Sequence, residues 1–171
     1  MSYSRIVWRQ KGNTMNGARM ARGLLVLLAM IGMGGQTARG QSMAAYLPDT
    51  IQWVEGPAAL QPGSKMAVVK GDPTQPGLFT MRLHFPANYR VSPHWHTADE
   101  HITVISGALH IGMGETLDRG KAKALPVGAF LWMTAGTRHF AWTERETVIQ
   151  LHGIGPWVVT YVNPADDPRK K

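Results

Sequence analysis

The sequence predicts an all-β fold, and three features of the chain beyond residue 44 support this prediction. Short runs rich in Val, Ile, Thr and aromatic residues recur along the chain, as in short strands. Turn-forming Gly, Pro and Asn separate these runs, for example at Pro62-Gly63 and Pro126-Val127-Gly128. No long segment has a helical pattern. Many short strands without a long helix indicate an antiparallel sandwich or barrel.

The predicted strands follow the apolar runs in chain order, and turn residues mark their ends. Asp72-Pro73 precedes the third run, and Pro86-Ala87-Asn88 follows it. The runs expected to form strands are residues 51–54, 66–69, 78–85, 100–106, 109–113, 129–133, 139–142, 147–151 and 157–162. One further segment, residues 115–124, has helical character, although Gly120 weakens it.

The first 44 residues differ from the rest of the chain. They carry six basic residues, no acidic residue and an apolar run at residues 23–33. This pattern is typical of a secretory signal peptide, and a membrane-spanning helix needs about 20 apolar residues. We therefore predict a signal peptide over residues 1–40, cleaved after Gly40 or Ala44, and a periplasmic or secreted product without a stable membrane span. An uncleaved amphipathic anchor is the alternative.

The remaining chain is predicted to be one domain, residues 45–165, with a polar basic tail at residues 166–171. Six of the 18 basic residues precede residue 45, so 12 basic and 11 acidic residues remain, a net charge of +1. A nearly neutral domain lacks the basic surface that nucleic-acid binding requires, which excludes that class. The chain has no Cys, which excludes disulfides, thiolate metal ligands and a Cys nucleophile.

Four side chains of the types that bind metal ions lie in two segments that are expected to be extended. His94, His96 and Glu100 are in the first segment, and His139 is in the second. Alternate residues of a strand share a face, and the α-carbons of His94 and His96 would be roughly 6.6 Å apart, so two imidazoles can reach one ion. The polar residues 97–99 allow the chain to bulge so that Glu100 returns to the same ion. Ile102, Val104 and Ser106 are then expected on the inner face with Glu100, and His101 on the outer face.

These residues resemble the two sequence motifs of the cupin superfamily. His94, His96, Glu100 and Gly107 match the first motif, and Gly128, Gly136 and His139 match most of the second. Thr134 and Thr143 stand where the family has Pro and often Asn. Over about residues 65–162 the chain resembles a small single-domain cupin of the exported bacterial type. The resemblance implies a cupin-type double-stranded β-helix, which is a jelly-roll barrel.

The resemblance also implies one divalent transition metal per chain, held by His94, His96, Glu100 and His139. Three imidazoles and one carboxylate suit Fe, Mn, Ni, Zn or Cu, and cupins favour Fe or Mn. Further pocket candidates for catalysis are His110, His152 and Tyr161, with Tyr89 a weaker one. The aromatic side chains of Phe130 and Trp132 alternate with apolar neighbours along one strand, so one set faces solvent or a partner sheet. Many cupins dimerise by sheet contact, so the resemblance implies a homodimer.

Two functions agree with these features. The first is an exported mononuclear metalloenzyme, of oxygenase or Lewis-acid type and leaning towards a dioxygenase-like oxidoreductase, that acts on a small organic molecule. The second is a non-catalytic cupin that binds a metal or small ligand for sensing or storage. A fold alone does not decide between them. The sequence contains no other catalytic motif, such as Gly-x-Ser-x-Gly or a P-loop.

Overall fold

The computed structural model describes Val7–Trp8 and residues 43–171 of the chain. Its two compact units are Met1–Thr50 and Ile51–Lys171. In the described part of the first unit, strand β1 (Val7–Trp8) pairs antiparallel with β2 (Met43–Ala44), and a short 3-10 helix spans Pro48–Thr50. The predicted signal peptide lies almost wholly outside the described residues and stays a prediction. Within those residues, no helix has the length and apolar character needed to cross a membrane.

The second unit consists of two antiparallel sheets. Their strands, in chain order, are β3 (Val54–Glu55), β4 (Lys65–Lys70), β5 (Gly77–Phe85), β6 (Arg90–Trp95), β7 (Glu100–Ser106), β8 (Ala108–Met113), β9 (Lys123–Pro126), β10 (Phe130–Met133), β11 (His139–Trp142), β12 (Thr147–Gly155) and β13 (Thr160–Tyr161). The six-stranded sheet has the order β10-β7-β12-β5-β4-β3, and the five-stranded sheet has the order β13-β6-β11-β8-β9. This all-β architecture confirms the predicted fold class.

The core lies between the inner faces of the two sheets. Burial alternates along β5, β7 and β12 because successive side chains of a strand point to opposite faces. On β5, the side chains of Phe79, Met81, Leu83 and Phe85 are buried, whereas the residues between them are partly exposed. Each such side chain contributes about 1.5–3 kcal/mol of hydrophobic stabilisation when it is fully buried. Leu109 and Ile111 on β8 belong to the same cluster, so both sheets build one core.

The predicted helix at residues 115–124 is wrong. Only Arg119–Lys121 forms a 3-10 helix, which begins where the carboxylate of Asp118 accepts a hydrogen bond from the Gly120 N–H. The chain then enters strand β9, which the sequence analysis missed. Its residues, Lys123–Pro126, have weak strand propensity, and pairing with β8 at the sheet edge determines their conformation. Pro126 is tolerated there because an edge strand need not use every N–H.

The expectation that Ser106 faces inwards is also wrong. Glu100, Ile102 and Val104 are buried as predicted, but Ile105 and Ser106 are exposed. The register between β12 and β7 shifts at this point: Val148 pairs with Ser106, but the next residue, Ile149, pairs with Val104, so β7 has one extra residue here. Such a bulge breaks the alternation of faces. The strand leads into Gly107, whose φ of 76° is in the left-handed region that favours glycine.

The strand bounds also differ near the chain end. The predicted strand 147–151 extends to Gly155, and only Thr160–Tyr161 of the predicted strand 157–162 is paired. Two short 3-10 helices end the chain: Pro164–Asp166 lies at the end of the predicted domain, and Pro168–Lys170 lies in the predicted polar tail. Arg169 in this tail binds the carboxylate of Asp167 and donates a hydrogen bond to the Val159 carbonyl at 3.0 Å. These contacts fix the basic side chain of Arg169 against the barrel.

Candidate metal centre

The structure brings together the four side chains that the sequence analysis selected as metal ligands. His94 is on β6, His96 follows that strand, Glu100 opens β7 and His139 opens β11. His94 and His139 are directly opposite each other on paired strands, and their ring centroids are 4.2 Å apart. One ligand nitrogen from each of the three histidines lies within 4.8 Å of the others. All four residues are buried.

Backbone carbonyls fix the orientation of all three imidazole rings. The Nδ1 of His94 is 2.8 Å from the Ser92 oxygen, and that of His139 is 2.9 Å from the Thr137 oxygen. The Nδ1 of His96 is 2.8 Å from the Val158 oxygen. A carbonyl oxygen accepts only, so each Nδ1 carries the proton and donates it. Each Nε2 therefore has a free lone pair, which is the form in which imidazole binds a metal ion.

The carboxylate of Glu100 lies between two of these nitrogens. Its Oε1 is 3.3 Å from the Nε2 of His96, and its Oε2 is 3.6 Å from the Nε2 of His139. Trp157 approaches the same group, because its Nε1–H donates a hydrogen bond to Glu100 Oε1 at 3.1 Å. The Trp157 ring also stacks on the His96 ring at 5.3 Å. Trp157 thus orients one carboxylate and covers one imidazole.

Burial favours the neutral form of His94 and His139. It lowers the pKa of His94 well below its usual value, and the neighbouring rings of His139 and His96 add to this effect. Burial also lowers the pKa of His139, although the carboxylate of Glu100 opposes the change. A neutral imidazole has the lone pair that a metal requires, so no proton must first be removed from these two rings at neutral pH.

The loops that carry the ligands are tied to each other by backbone hydrogen bonds. The Gly136 N–H donates to the His96 carbonyl at 2.9 Å, and the Ala135 N–H donates to the Asp99 carboxylate at 2.9 Å. These contacts join the bulge after His96 to the turn before His139. The ligand-bearing segments are therefore positioned by the protein itself.

The two departures from the cupin motifs have local roles in this framework. Thr134 opens the turn before His139: its carbonyl accepts from the Thr137 N–H at 3.1 Å, and the hydroxyls of Thr134 and Thr137 are 3.2 Å apart. Thr143 follows β11, and its hydroxyl donates to the Pro86 carbonyl at 2.7 Å. The same oxygen accepts from the Tyr89 N–H at 3.2 Å. Thr143 thus fastens the end of β11 to the loop before β6.

The donor set fits a divalent transition metal ion. The Nε2 of His96 is buried and has no hydrogen-bond partner, and its lone pair faces the Glu100 carboxylate. Two electron-rich atoms at this distance repel each other unless a cation lies between them, and a buried group without a partner is costly. Three nitrogens and one carboxylate form the mixed donor set that Fe, Mn, Ni, Cu and Zn accept.

The barrel interior beside these residues is narrow. A cavity of about 40 Å³ is bounded by His94, Glu100 and His139 on one side. Its other walls are apolar and come from both sheets and from the segments that cover them: Leu60, Leu83, Phe85, Val91, Ile102, Leu109, Ile111, Ala141, Ile149, Leu151 and Trp157. Sites for small organic ligands usually measure about 300–1,000 Å³. This interior admits species of the size of water rather than a larger organic molecule.

Two of the three candidate catalytic residues lie away from this centre. His110 alternates with the buried Leu109 and Ile111, so it is on the outer face of β8, where its ring stacks on that of Trp142 at 5.0 Å. His152 is on the outer face of β12 and stacks on His101 at 4.9 Å. His101 itself faces outwards, as predicted. The structure therefore does not bring His110, His152 or His101 to the four ligands.

Tyr161, the third candidate, lies next to the centre. It is directly opposite His94 on paired strands, and the two ring centroids are 6.0 Å apart. Its hydroxyl, however, donates a hydrogen bond to the Ala59 carbonyl at 2.8 Å. Burial, with a smaller effect of Tyr89, raises the pKa of Tyr161 to about 12. The phenol stays protonated at neutral pH, so Tyr161 is a poor proton acceptor. Its pairing with His94 and its hydrogen bond to Ala59 indicate that it positions the strand that carries His94.

Sequence reasoning missed the contact between Trp157 and Glu100, because the two residues are 57 positions apart in the chain. We predict that Trp157→Phe weakens metal binding about tenfold, since the ring remains but the hydrogen bond to the carboxylate is lost. Competition titration of the metal-free protein with a chelating indicator measures this. Trp142→Phe is the matched control, because Trp142 is buried and its Nε1 has no hydrogen-bond partner. Equal affinities for the two variants would contradict the assigned role.

Comparison with known proteins places this site in a family. The family model described as the ChrR cupin-like domain matches residues 41–158. No curated protein sequence matches the chain. The polyketide cyclase RemF from Streptomyces resistomycificus superposes with a TM-score of 0.59 at 16% identity, covering 75% of this chain and 91% of that one. A candidate acetylacetone dioxygenase from Methylibium petroleiphilum superposes with a TM-score of 0.54 at 18% identity, covering 72% of this chain and 84% of that one.

At such identities the two solved structures are evidence for the fold alone. That fold is the jelly-roll barrel found here, with its two antiparallel sheets. The family match covers more than half of the chain and includes His94, His96, Glu100 and His139. The chain therefore belongs to the family of ChrR cupin-like domains.

Proposed function

We propose that this protein is an exported metalloenzyme that binds one divalent transition metal through His94, His96, Glu100 and His139. In this proposal it acts on a small organic molecule, as an oxidoreductase of dioxygenase-like type or as a Lewis-acid catalyst. Fe or Mn is the proposed ion. When bound, such an ion supplies a Lewis-acid or redox centre.

One observation supports the metal site above all others. Each of the three histidines donates its Nδ1 proton to a backbone carbonyl, so all three Nε2 lone pairs are free for a metal ion. The Nε2 atoms of His96 and His139 lie 3.3 and 3.6 Å from the Glu100 carboxylate. Histidines that merely fill a core have no need for three identical tautomers. Carbonyl-oriented imidazoles are the usual arrangement around a protein-bound metal ion.

The residues around the ligands have complementary tasks. Trp157 holds the Glu100 carboxylate in place and shields His96 from solvent. Leu109, Ile111 and Ile149 make the inner cavity apolar, and a low-polarity surrounding strengthens the electrostatic effect of any charge there. Imidazole is a neutral ligand, so the Glu100 carboxylate is the one anionic ligand of the four.

Export is a proposal that rests on the first 44 residues. Their six basic residues, absent acidic residues and apolar run at residues 23–33 support a periplasmic or secreted location. Among the described residues, the pairing of β1 with β2 gives no further information on this point. The homodimer likewise stays a prediction; the outer face of β10 exposes Phe130, which pairing with a second copy would cover.

The function is tested by metal analysis followed by substrate screening. We expect the purified protein to contain about one equivalent of transition metal by plasma mass spectrometry. Oxygen-consumption assays against phenolic and diketone substrates should then show turnover that a chelator abolishes and the metal restores. Absence of a stoichiometric metal would refute the metal site, and a full metal content without turnover would favour the second function below.

The small size of the inner cavity supports a non-catalytic alternative. An inner space of about 40 Å³ leaves little room for an organic substrate next to the ligands. A protein that only holds a metal or a very small ligand, for sensing or storage, needs no more. This alternative predicts a tightly retained ion and no turnover in the oxygen-consumption screen.

A further inference from the structure

A second and larger depression adjoins the inner cavity, and Ile111 lines both spaces. This cleft has a volume of about 630 Å³, within the range of about 300–1,000 Å³ usual for small-molecule sites. It lies where the edge strand β10 of the six-stranded sheet faces β8 and β9 of the five-stranded sheet. Its lining residues are Ile111, Gly112, Met113, Lys121, Lys123, Leu125, Leu131, Trp132, Met133, Thr134 and Thr137.

The cleft is next to the candidate metal ligands. Met113, on its wall, is directly opposite His139 on paired strands, and Met133 is directly opposite Glu100. Residues paired in this way have β-carbons about 4.5–5.5 Å apart. Thr137, a third wall residue, supplies the carbonyl that orients His139.

Apolar side chains lie where the cleft adjoins the inner cavity. Ile111 lines both spaces, and Met133 stands between the cleft and Glu100. Methionine side chains have several accessible rotamers and adapt to a ligand readily. A molecule in the cleft would therefore lie beside the ligand set without entering the narrow interior.

The chemistry of the walls indicates what this cleft binds. Trp132 is 58% exposed and Met113 is 70% exposed, so both present apolar surface to a ligand. The lining contains two lysines and no acidic residue. Lys121 is 3.4 Å from the carboxylate of Asp118, in an exposed pair, whereas Lys123 has no ion pair within the described part of the chain. The cleft thus combines an aromatic and apolar surface, from Trp132 and Met113, with the positive charge of two lysines.

We propose that the cleft between β8, β9 and β10 binds a small aromatic carboxylate, with its ring on Trp132 and Met113 and its anionic group near Lys123 and Lys121. The inference that this carboxylate is a substrate of the metal centre rests on the proposed function. The inference that the cleft binds the carboxylate does not. A flat apolar anion satisfies both the exposed indole and the unbalanced positive charge.

The proposal is tested by isothermal titration of the full chain with 2-naphthoate and with the uncharged 2-naphthamide. We expect 2-naphthoate to bind about tenfold more tightly than the amide, with an affinity that falls as salt is raised. Trp132→Ala should weaken naphthoate binding about tenfold through loss of the aromatic contact. Lys121→Gln combined with Lys123→Gln should remove the preference for the carboxylate over the amide.

Two matched controls distinguish the cleft from the rest of the surface. Phe130→Ala removes an aromatic side chain that is 55% exposed on the same strand as Trp132 but does not line the cleft. Lys65→Gln removes an exposed lysine of β4, outside the cleft. Both controls should bind 2-naphthoate as the unchanged protein does. Binding that Phe130→Ala weakens as much as Trp132→Ala, or no detectable binding, would overturn the proposal.

The same titration with chelator-treated protein separates this proposal from the proposed function. If the protein binds naphthoate but holds no metal under any condition, the proposal for the cleft is supported and the proposed metalloenzyme function is refuted. Full metal occupancy without naphthoate binding would refute the cleft and leave the metal site intact. Circular dichroism of each variant verifies that the β fold is preserved, so that a loss of binding is attributed to the changed side chain.

Discussion

Protein with Glu100→Ala is expected to retain at most about a tenth of the metal that the unchanged protein holds. The carboxylate is the one anionic donor, and it lies 3.3 Å from the Nε2 of His96 and 3.6 Å from that of His139. Its removal takes away both a ligand and the negative charge that offsets the ion. His96→Ala should cause a loss of similar size, since it removes the nitrogen that faces Glu100. Plasma mass spectrometry on the purified variants measures the effect.

The adjacent His101 provides a strict control for this experiment. It follows Glu100 in the sequence but lies on the outer face of β7, stacked between His152 and Phe130. His101→Ala should therefore keep the metal content of the unchanged protein. A comparable loss of metal from His101→Ala, Glu100→Ala and His96→Ala would show that the face assignment is wrong. Unfolding midpoints in urea indicate whether any variant loses metal because it unfolds.

The second large effect is expected at Gly107, where replacement by Ala should destabilise the metal-free protein by about 3 kcal/mol or more. The φ of this residue is 76°, which an alanine adopts only with strain. A β-carbon there would also lie 2.3 Å from the Glu146 carbonyl oxygen and 2.5 Å from the Thr147 hydroxyl. The first of these atoms is backbone and the second belongs to a buried side chain, so neither can move aside easily.

The variant Gly128→Ala separates conformational strain from steric overlap as causes of the lost stability. Gly128 has a similar φ of 83°, but a β-carbon there would meet no atom within 4 Å. We expect a loss of only about 1 kcal/mol, because the conformational strain remains without the steric overlap. Urea unfolding of both variants gives the two free energies of unfolding. A Gly128→Ala variant as unstable as Gly107→Ala would mean that close packing at Gly107 is unimportant.

The sequence was sufficient to find the four candidate ligands because their spacing is a local property. Alternation along a strand puts His94 and His96 on one face, and the strands 100–106 and 139–142 were predicted with the bounds that the structure has. The burial of Glu100 and the outward direction of His101 follow from the same alternation. The jelly-roll fold, in contrast, was inferred from the resemblance to cupins, since strand order is a non-local property.

Features that depend on distant partners could not be predicted. Strand β9 exists because β8 is beside it, and Ser106 faces outwards because β7 bulges against β12. The carbonyl that orients His96 belongs to Val158, 62 positions away, and the indole that binds Glu100 is 57 positions away. Nothing in a single sequence relates such residues. The cleft was missed for the same reason, since its walls come from both sheets.

The four candidate ligands are divided between the two layers of the barrel. Strands β6 and β11, which carry His94 and His139, belong to the five-stranded sheet, whereas β7, which carries Glu100, belongs to the six-stranded sheet. An ion held by all of them would cross-link the layers much as a disulfide does in many secreted domains, and this chain has no cysteine with which to form one. The durability of the fold would then depend on the supply of metal in the surroundings.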